Sequence, residues 1–127
     1  MPPAPKLPSR PKAIGIVGSR RRNTDSDFRK VLDVFIKMYN EGDWIISGGC
    51  PTGADHFAER IAKEYGVTIT IHYPNFKKYD KSAGPIRNTK IARDCDILVA
   101  LVTEDRTGGT EDTISKASKM GKKVLLL

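Results

Sequence analysis

The chain has 127 residues, 39% of them hydrophobic, and a formal net charge of +7. That suits one domain with a real core. No run of about 18 apolar residues exists, so no membrane-spanning helix is expected, and two cysteines, Cys50 and Cys95, are too few for a disulfide framework. Neither cysteine has a second Cys or His at metal-ligand spacing, so no metal and no cofactor are expected, and a reducing, cytoplasmic setting is the simplest reading. The positive charge fits nucleic acid, a small anion or plain solubility equally well.

Residues 1–12, MPPAPKLPSRPK, carry five prolines and no apolar core, and read as a flexible lead-in rather than a secretory signal. The folded domain is expected over 13–127. Ala13 to Val17 is an apolar run that reads as a strand buried on both faces, hence parallel. It ends in Gly18-Ser19-Arg20-Arg21-Arg22, a charge run of the solvated kind from which only Arg20 is singled out for a ligand. Asn23-Thr24-Asp25 offers a helix N-cap, Phe28, Val31, Leu32, Phe35 and Met38 follow at helical spacing, and Gly42 supplies the stop.

Trp44 to Ser47 reads as the second strand. Gly48 to Gly53 turns the chain, and a helix starts at about Ala54, with Phe57, Ala58, Ile61, Ala62 and Tyr65 on its apolar face and Gly66 as its stop. A strand, a glycine-rich turn and a helix N-terminus together present backbone N–H groups and a positive dipole end to an anion. The turn is neither GxGxxG nor GxxxxGK[ST], so neither the dinucleotide fingerprint nor the P-loop is present. Val67 to Tyr73 reads as a third strand, Asn75 to Gly84 as an irregular stretch rich in lysine and aromatics, and Pro85 to Asn88 as the start of a short helix with Ile91 and Ala92 as its contacts. Asp96 to Thr103 is the expected fourth strand and 106–112 a second glycine loop. A last helix carries Ile114, Ala117 and Met120 to Gly121, and Lys122 to Leu127 is the fifth strand.

Strands alternating with helices imply an α/β, Rossmann-like three-layer domain with a mainly parallel five-stranded sheet in the order 3-2-1-4-5. Its ligand crevice lies outside the carboxyl ends of the strands, at the switch point. Backbone N–H groups at Gly48, Gly49 and Gly53, and from Gly108 through Gly109 to Thr110, are the expected phosphate donors. Arg20 and Arg87 would pair with phosphate, Ser19 and Thr110 would add hydroxyls, and Asp55 would accept from a ribose hydroxyl. Gly18 and Asn88 belong to the same loops. If a glycosidic bond is cleaved, Asp55, Glu111 and Asp112 are the candidate carboxylates. All three also sit where helix dipoles favour acids regardless of function. Cys50, His56 and His72 lack an obvious partner, and Tyr73 or Phe76 could stack on a base.

GSR after the first strand, SGGCPTGAD after the second, GPIRN before the fourth and GGTED after it together resemble the SLOG superfamily, most closely its YspA-type branch. The superfamily joins the Smf/DprA proteins and the Lonely-guy nucleotide hydrolases. The resemblance covers about Ile14 to Leu127 and implies a Rossmann-like nucleotide-binding fold and a homo-oligomer. Lonely-guy members cleave the N-glycosidic bond of nucleoside 5′-monophosphates with an Arg ahead of the fourth strand, matched by Arg87, and a Glu in a PGGxGTxxE loop. Here Thr113 stands at that Glu position and the proline is absent. The leading expectation is therefore a binding module for a nucleotide or nucleotide-derived ligand. The alternatives are a phosphoribohydrolase-like N-glycosidase and, third, DprA-like single-stranded DNA binding.

Overall fold

The computed structural model describes residues 10–127, so most of the proline-rich lead-in lies outside the described residues. Strand β1, Ala13–Gly18, is buried over its first five residues and must be covered on both faces. The chain supplies that cover as α1 (Asp25–Met38), β2 (Trp44–Ser47), α2 (Ala54–Tyr65), β3 (Ile69–Ile71), α3 (Phe76–Tyr79), a 3₁₀ turn (Asp80–Ser82), α4 (Ala83–Asp94), β4 (Ile97–Leu101), α5 (Gly109–Lys119) and β5 (Lys123–Leu126). The five strands form one parallel sheet in the order β3-β2-β1-β4-β5. This is the α/β, Rossmann-like arrangement that the sequence pattern predicts. Among the described residues no helix is long and apolar enough to cross a membrane.

The pleat sorts the core into two halves. Ile14, Ile16, Val99 and Leu101 pack with Phe28, Val31 and Phe35 of α1 and Phe57 and Ile61 of α2. Val17, Leu98 and Ala100 pack on the other face with Ile91 of α4 and Ile114 and Ala117 of α5. The α1 N-terminus is closed by a capping box, in which the Thr24 side chain accepts from Asp27 N–H and the Asp27 carboxylate accepts from Thr24 N–H.

Four boundaries differ from the sequence pattern. β3 keeps only Ile69–Ile71, because Val67 is buried where it closes the end of α2 through its N–H to the Ala62 carbonyl. The stretch from Asn75 is not irregular. Asn75 caps α3 through Lys78 N–H, and α4 begins at Ala83 rather than Pro85. Pro85 is tolerated there because its missing N–H falls in the first turn, where no intrahelical bond is lost. Lys12, assigned by sequence to the lead-in, is tied to Asp43 by both its backbone N–H and its ammonium group.

The arginine run also resolves into three different residues. Arg22 is not solvated. Its Nε donates to Asp27 Oδ1 at 2.9 Å, and its Nη1 donates to the carbonyls of Val102 at 2.7 Å and Leu127 at 2.9 Å. It therefore joins the α1 cap to the ends of β4 and β5. Arg21 is held at the surface by Asp105, Thr103 and Thr107. Among the described residues, no hydrogen bond or ion pair engages the Arg20 guanidinium. Arg22→Ala should lower the free energy of unfolding in urea by about 2 kcal/mol, since the Val102 carbonyl loses its guanidinium donor, the Leu127 carbonyl keeps only the Val102 N–H, and Asp27 loses its ion-pair partner. An effect no larger than that of Arg20→Ala would contradict this role.

Candidate functional site

The loops that follow β1, β2 and β4 meet with the start of α4 around a cavity of about 540 Å³. That volume lies within the range of small-molecule sites. Gly18, Ser19, Arg20 and Arg21 line it from the β1 loop, Cys50 and Asp55 from the β2 side, and Arg87 and Asn88 from α4. Thr107, Gly108, Gly109, Thr110 and Thr113 line it from the β4 loop and α5. Close packing brings these loops together. A Cβ on Gly18 would stand 2.7 Å from both Ala54 Cβ and Leu101 Cβ. Gly53, at φ 75°, would drive a Cβ to 2.7 Å from the Ser19 carbonyl oxygen.

The glycine turn after β2 does not offer its amides to the cavity. Gly53 N–H donates to Asn23 Oδ1 at 2.8 Å, and Cys50 N–H donates to Asp55 Oδ2 at 3.0 Å. Gly48 N–H also serves Asp55, and the nearest acceptor for Gly49 N–H is Ser47 Oγ at 3.5 Å. The engagement of the Cys50 and Gly53 amides within the chain has a physical reason. The first turn of α2 carries its own anion, Asp55, and the turn closes on that carboxylate. Asp55 is only 7% exposed. Burial pushes its carboxyl above the usual range, opposed by the amides of Cys50 and Gly48 and by the nearby Arg87.

The start of α5 is built the other way. Its N-cap is Gly108 at φ 101°, a left-handed position that suits glycine, and no side chain caps it. Glu111 N–H reaches the Gly108 carbonyl at 3.2 Å, whereas the N–H groups of Gly109 and Thr110 have no partner among the described residues. They are the unsatisfied donors of a helix N-terminus, at the rim of a cavity that also holds arginines. One turn further in, Thr113 is 2% exposed and lines the same cavity.

Arg87 and Asn88 join the two loops. Arg87 Nη1 donates to the Gly48 carbonyl and its Nε donates to Asn88 Oδ1. Asn88 Nδ2 in turn donates to the Gly109 carbonyl at 3.3 Å and to Asp112 Oδ2 at 3.1 Å. A side chain at Gly48 would displace the Arg87 guanidinium, because a Cβ would meet Arg87 Nη1 at 2.6 Å and Asp55 Oδ2 at 3.0 Å. Arg87 thus has a structural duty, and its remaining guanidinium N–H groups are left over for a ligand.

Of the expected site residues, Gly18, Ser19, Arg20, Asp55, Arg87, Asn88, Gly108, Gly109 and Thr110 line one cavity. Glu111 and Asp112 do not line it. Glu111 is bound on both oxygens by Arg106 at 2.8 Å, and Asp112 is held by Asn88 and Lys116. Both acids are engaged in ion pairs, and Asp112 also accepts from Asn88. Sequence reading passed over Arg21 and Thr107, which the Asp105 carboxylate draws to the rim. It noted Thr113 only as the occupant of a missing glutamate's position. Cys50 lines the cavity, but its thiol has only Thr52 Oγ1 near it, at 4.0 Å. His56 is exposed, and His72 pairs with Asp94 at 2.8 Å. Comparison with protein-family models, curated proteins and solved structures finds no match.

Because the folded pKa of Asp55 is raised, its contribution to stability is fully present below the unfolded value and is lost as pH rises through the folded value. Asp55→Asn should therefore gain stability relative to the native chain as pH rises from the usual carboxylate range toward neutrality. Urea midpoints of the two proteins from about pH 4 to 8 test this, and a difference that does not vary with pH would contradict it.

Proposed function

We propose that the chain binds a nucleotide, or a ligand derived from one, through the cavity at the carboxyl edge of the sheet. The observation that carries the reading is the asymmetry of the cavity. On one side the uncapped N-terminus of α5 offers the N–H groups of Gly109 and Thr110, with Arg20 lining the same cavity and Arg87 reaching between this side and the Gly48 turn. On the other side stands a buried carboxyl group, Asp55. A phosphate belongs on the first side, where dipole, amides and guanidinium groups all favour negative charge. A sugar hydroxyl belongs opposite, donating to Asp55. The SLOG-like motifs support the same reading, since the GSR, GAD, RN and GGT segments are those that line or brace the cavity.

A second reading, N-glycoside hydrolysis, is favoured by one observation. Asp55 is the acid that faces the cavity, and burial raises its pKa in the direction a general acid needs. In that reaction the C1′–N bond breaks, its electron pair leaves with the base, and the base takes the Asp55 proton. Water then adds at C1′ and returns a proton to the Asp55 carboxylate. Sustained growth of free adenine from AMP, abolished in Asp55→Asn, would select this reading. Intact AMP after a day would select binding alone.

Titration calorimetry with AMP and with adenosine tests the main reading. AMP should bind and adenosine should bind far more weakly, because the phosphate carries the attachment. Arg20→Ala breaks no contact of the described free protein, so any loss reports the ligand. It should weaken AMP about tenfold, the scale of one charge-assisted hydrogen bond. Equal affinity for AMP and adenosine, or no binding of either, would overturn the proposal.

A further inference from the structure

Beyond the cavity, the same edge of the sheet carries a second feature that the core does not explain. Tyr73 leaves the end of β3 with 65% of its surface exposed, and Phe76 follows at 64%. The Tyr73 ring lies directly on Gly49. A Cβ there would stand 2.5 Å from two ring carbons, so the glycine is what lets the ring lie against the loop. The next residue, Cys50, lines the cavity. Tyr73 therefore borders the nucleotide site on the side away from α5, with its Cδ1–Cε1 edge at Gly49 and most of the residue exposed. Lys77, Lys78 and Lys81 are exposed along the adjoining α3 and 3₁₀ turn. This is an aromatic platform flanked by cations, the pairing that holds bases and their phosphates in single-strand sites.

The spacing limits what reaches it. Tyr73 follows β3 and the α5 N-terminus follows β4, three strand positions apart in the sheet. Three strand spacings are about 14 Å. A nucleoside monophosphate anchored by its phosphate at α5 falls short of stacking there, and a second nucleotide unit spans the gap. We infer that the ligand has two nucleotide units: the phosphate of the first sits at the α5 N-terminus, and the base of the second stacks on Tyr73 beside the lysines of α3.

This inference rests on the reading of the cavity as a nucleotide site, and the test separates the two. AMP, the 5′-phosphorylated dinucleotide pApA and a 5′-phosphorylated adenine decamer are titrated into the full chain and into Tyr73→Ala and Tyr73→Phe. The dinucleotide should bind at least fivefold tighter than AMP, on the scale of one base–aromatic stack. Tyr73→Ala should erase that advantage while leaving AMP unchanged, and Tyr73→Phe should retain it. A decamer equal to pApA would identify a free dinucleotide as the source of this chemistry. A tighter decamer that is also weakened by Tyr73→Ala would identify the end of a longer strand. Equal affinity of AMP and pApA would overturn the inference and leave the nucleotide site standing. An advantage that survives Tyr73→Ala would also overturn it. Binding of none of the three would remove both.

Discussion

The arrangement of the site depends on one adjacent pair of side chains, Arg87 and Asn88. Each reaches a different glycine loop: Arg87 holds the Gly48 carbonyl, and Asn88 holds the Gly109 carbonyl and Asp112. The two are joined by a hydrogen bond from Arg87 Nε to Asn88 Oδ1. Loops at the ends of β2 and β4 are separated in the sheet by β1, so they share no ladder that could fix their spacing. The pair on α4 supplies that constraint. It also uses donors that would otherwise require water, since Asn88 is buried and Arg87 is half-buried.

The constraint gives the two loops different roles. The β2 loop folds around Asp55 while Asn23 holds its Gly53 amide, so this wall of the cavity carries a buried carboxyl group. The β4 loop is left with free amides at the start of α5. On the proposed reading, the end with free amides and Arg20 would take a phosphate and the end with Asp55 would take hydroxyls. Arg22 contributes from behind. It ties the α1 cap to the ends of β4 and β5 and so steadies the sheet edge on which the loops stand.

Much of the fold was legible because its signals are local. Runs such as Ala13 to Val17 and Ile97 to Leu101 are apolar at consecutive positions, and α2 and α5 run into glycine stops at Gly66 and Gly121, whereas α1 ends on an extended Tyr39 before it reaches the expected stop at Gly42. β3 was over-read because β-branched content does not tell a strand residue from Val67, which buries itself against the end of α2. The Asn75 to Gly84 stretch was under-read because α3 is one turn long and leaves no periodicity to detect. The positions of the site loops followed from topology, but which loop keeps its amides free did not. That outcome depends on Asn23 reaching Gly53 across thirty residues and on Asp55 folding back onto its own turn. Nor could the run Arg20 to Arg22 be divided by inspection, since the Asp105 partner of Arg21 and the two carbonyls that Arg22 reaches lie about eighty residues away or more.

The most direct measurement of the central claim is an amide-resolved ¹H–¹⁵N titration of the protein with AMP. The account predicts that the Gly109 and Thr110 amides move most, because they are the free donors at the anion-binding end. The amides of Gly48, Cys50 and Gly53, already engaged within the chain, should move little. Dominant shifts at the β2 loop with α5 unmoved would contradict the assignment of the phosphate to α5, and with it the division of roles between the two loops.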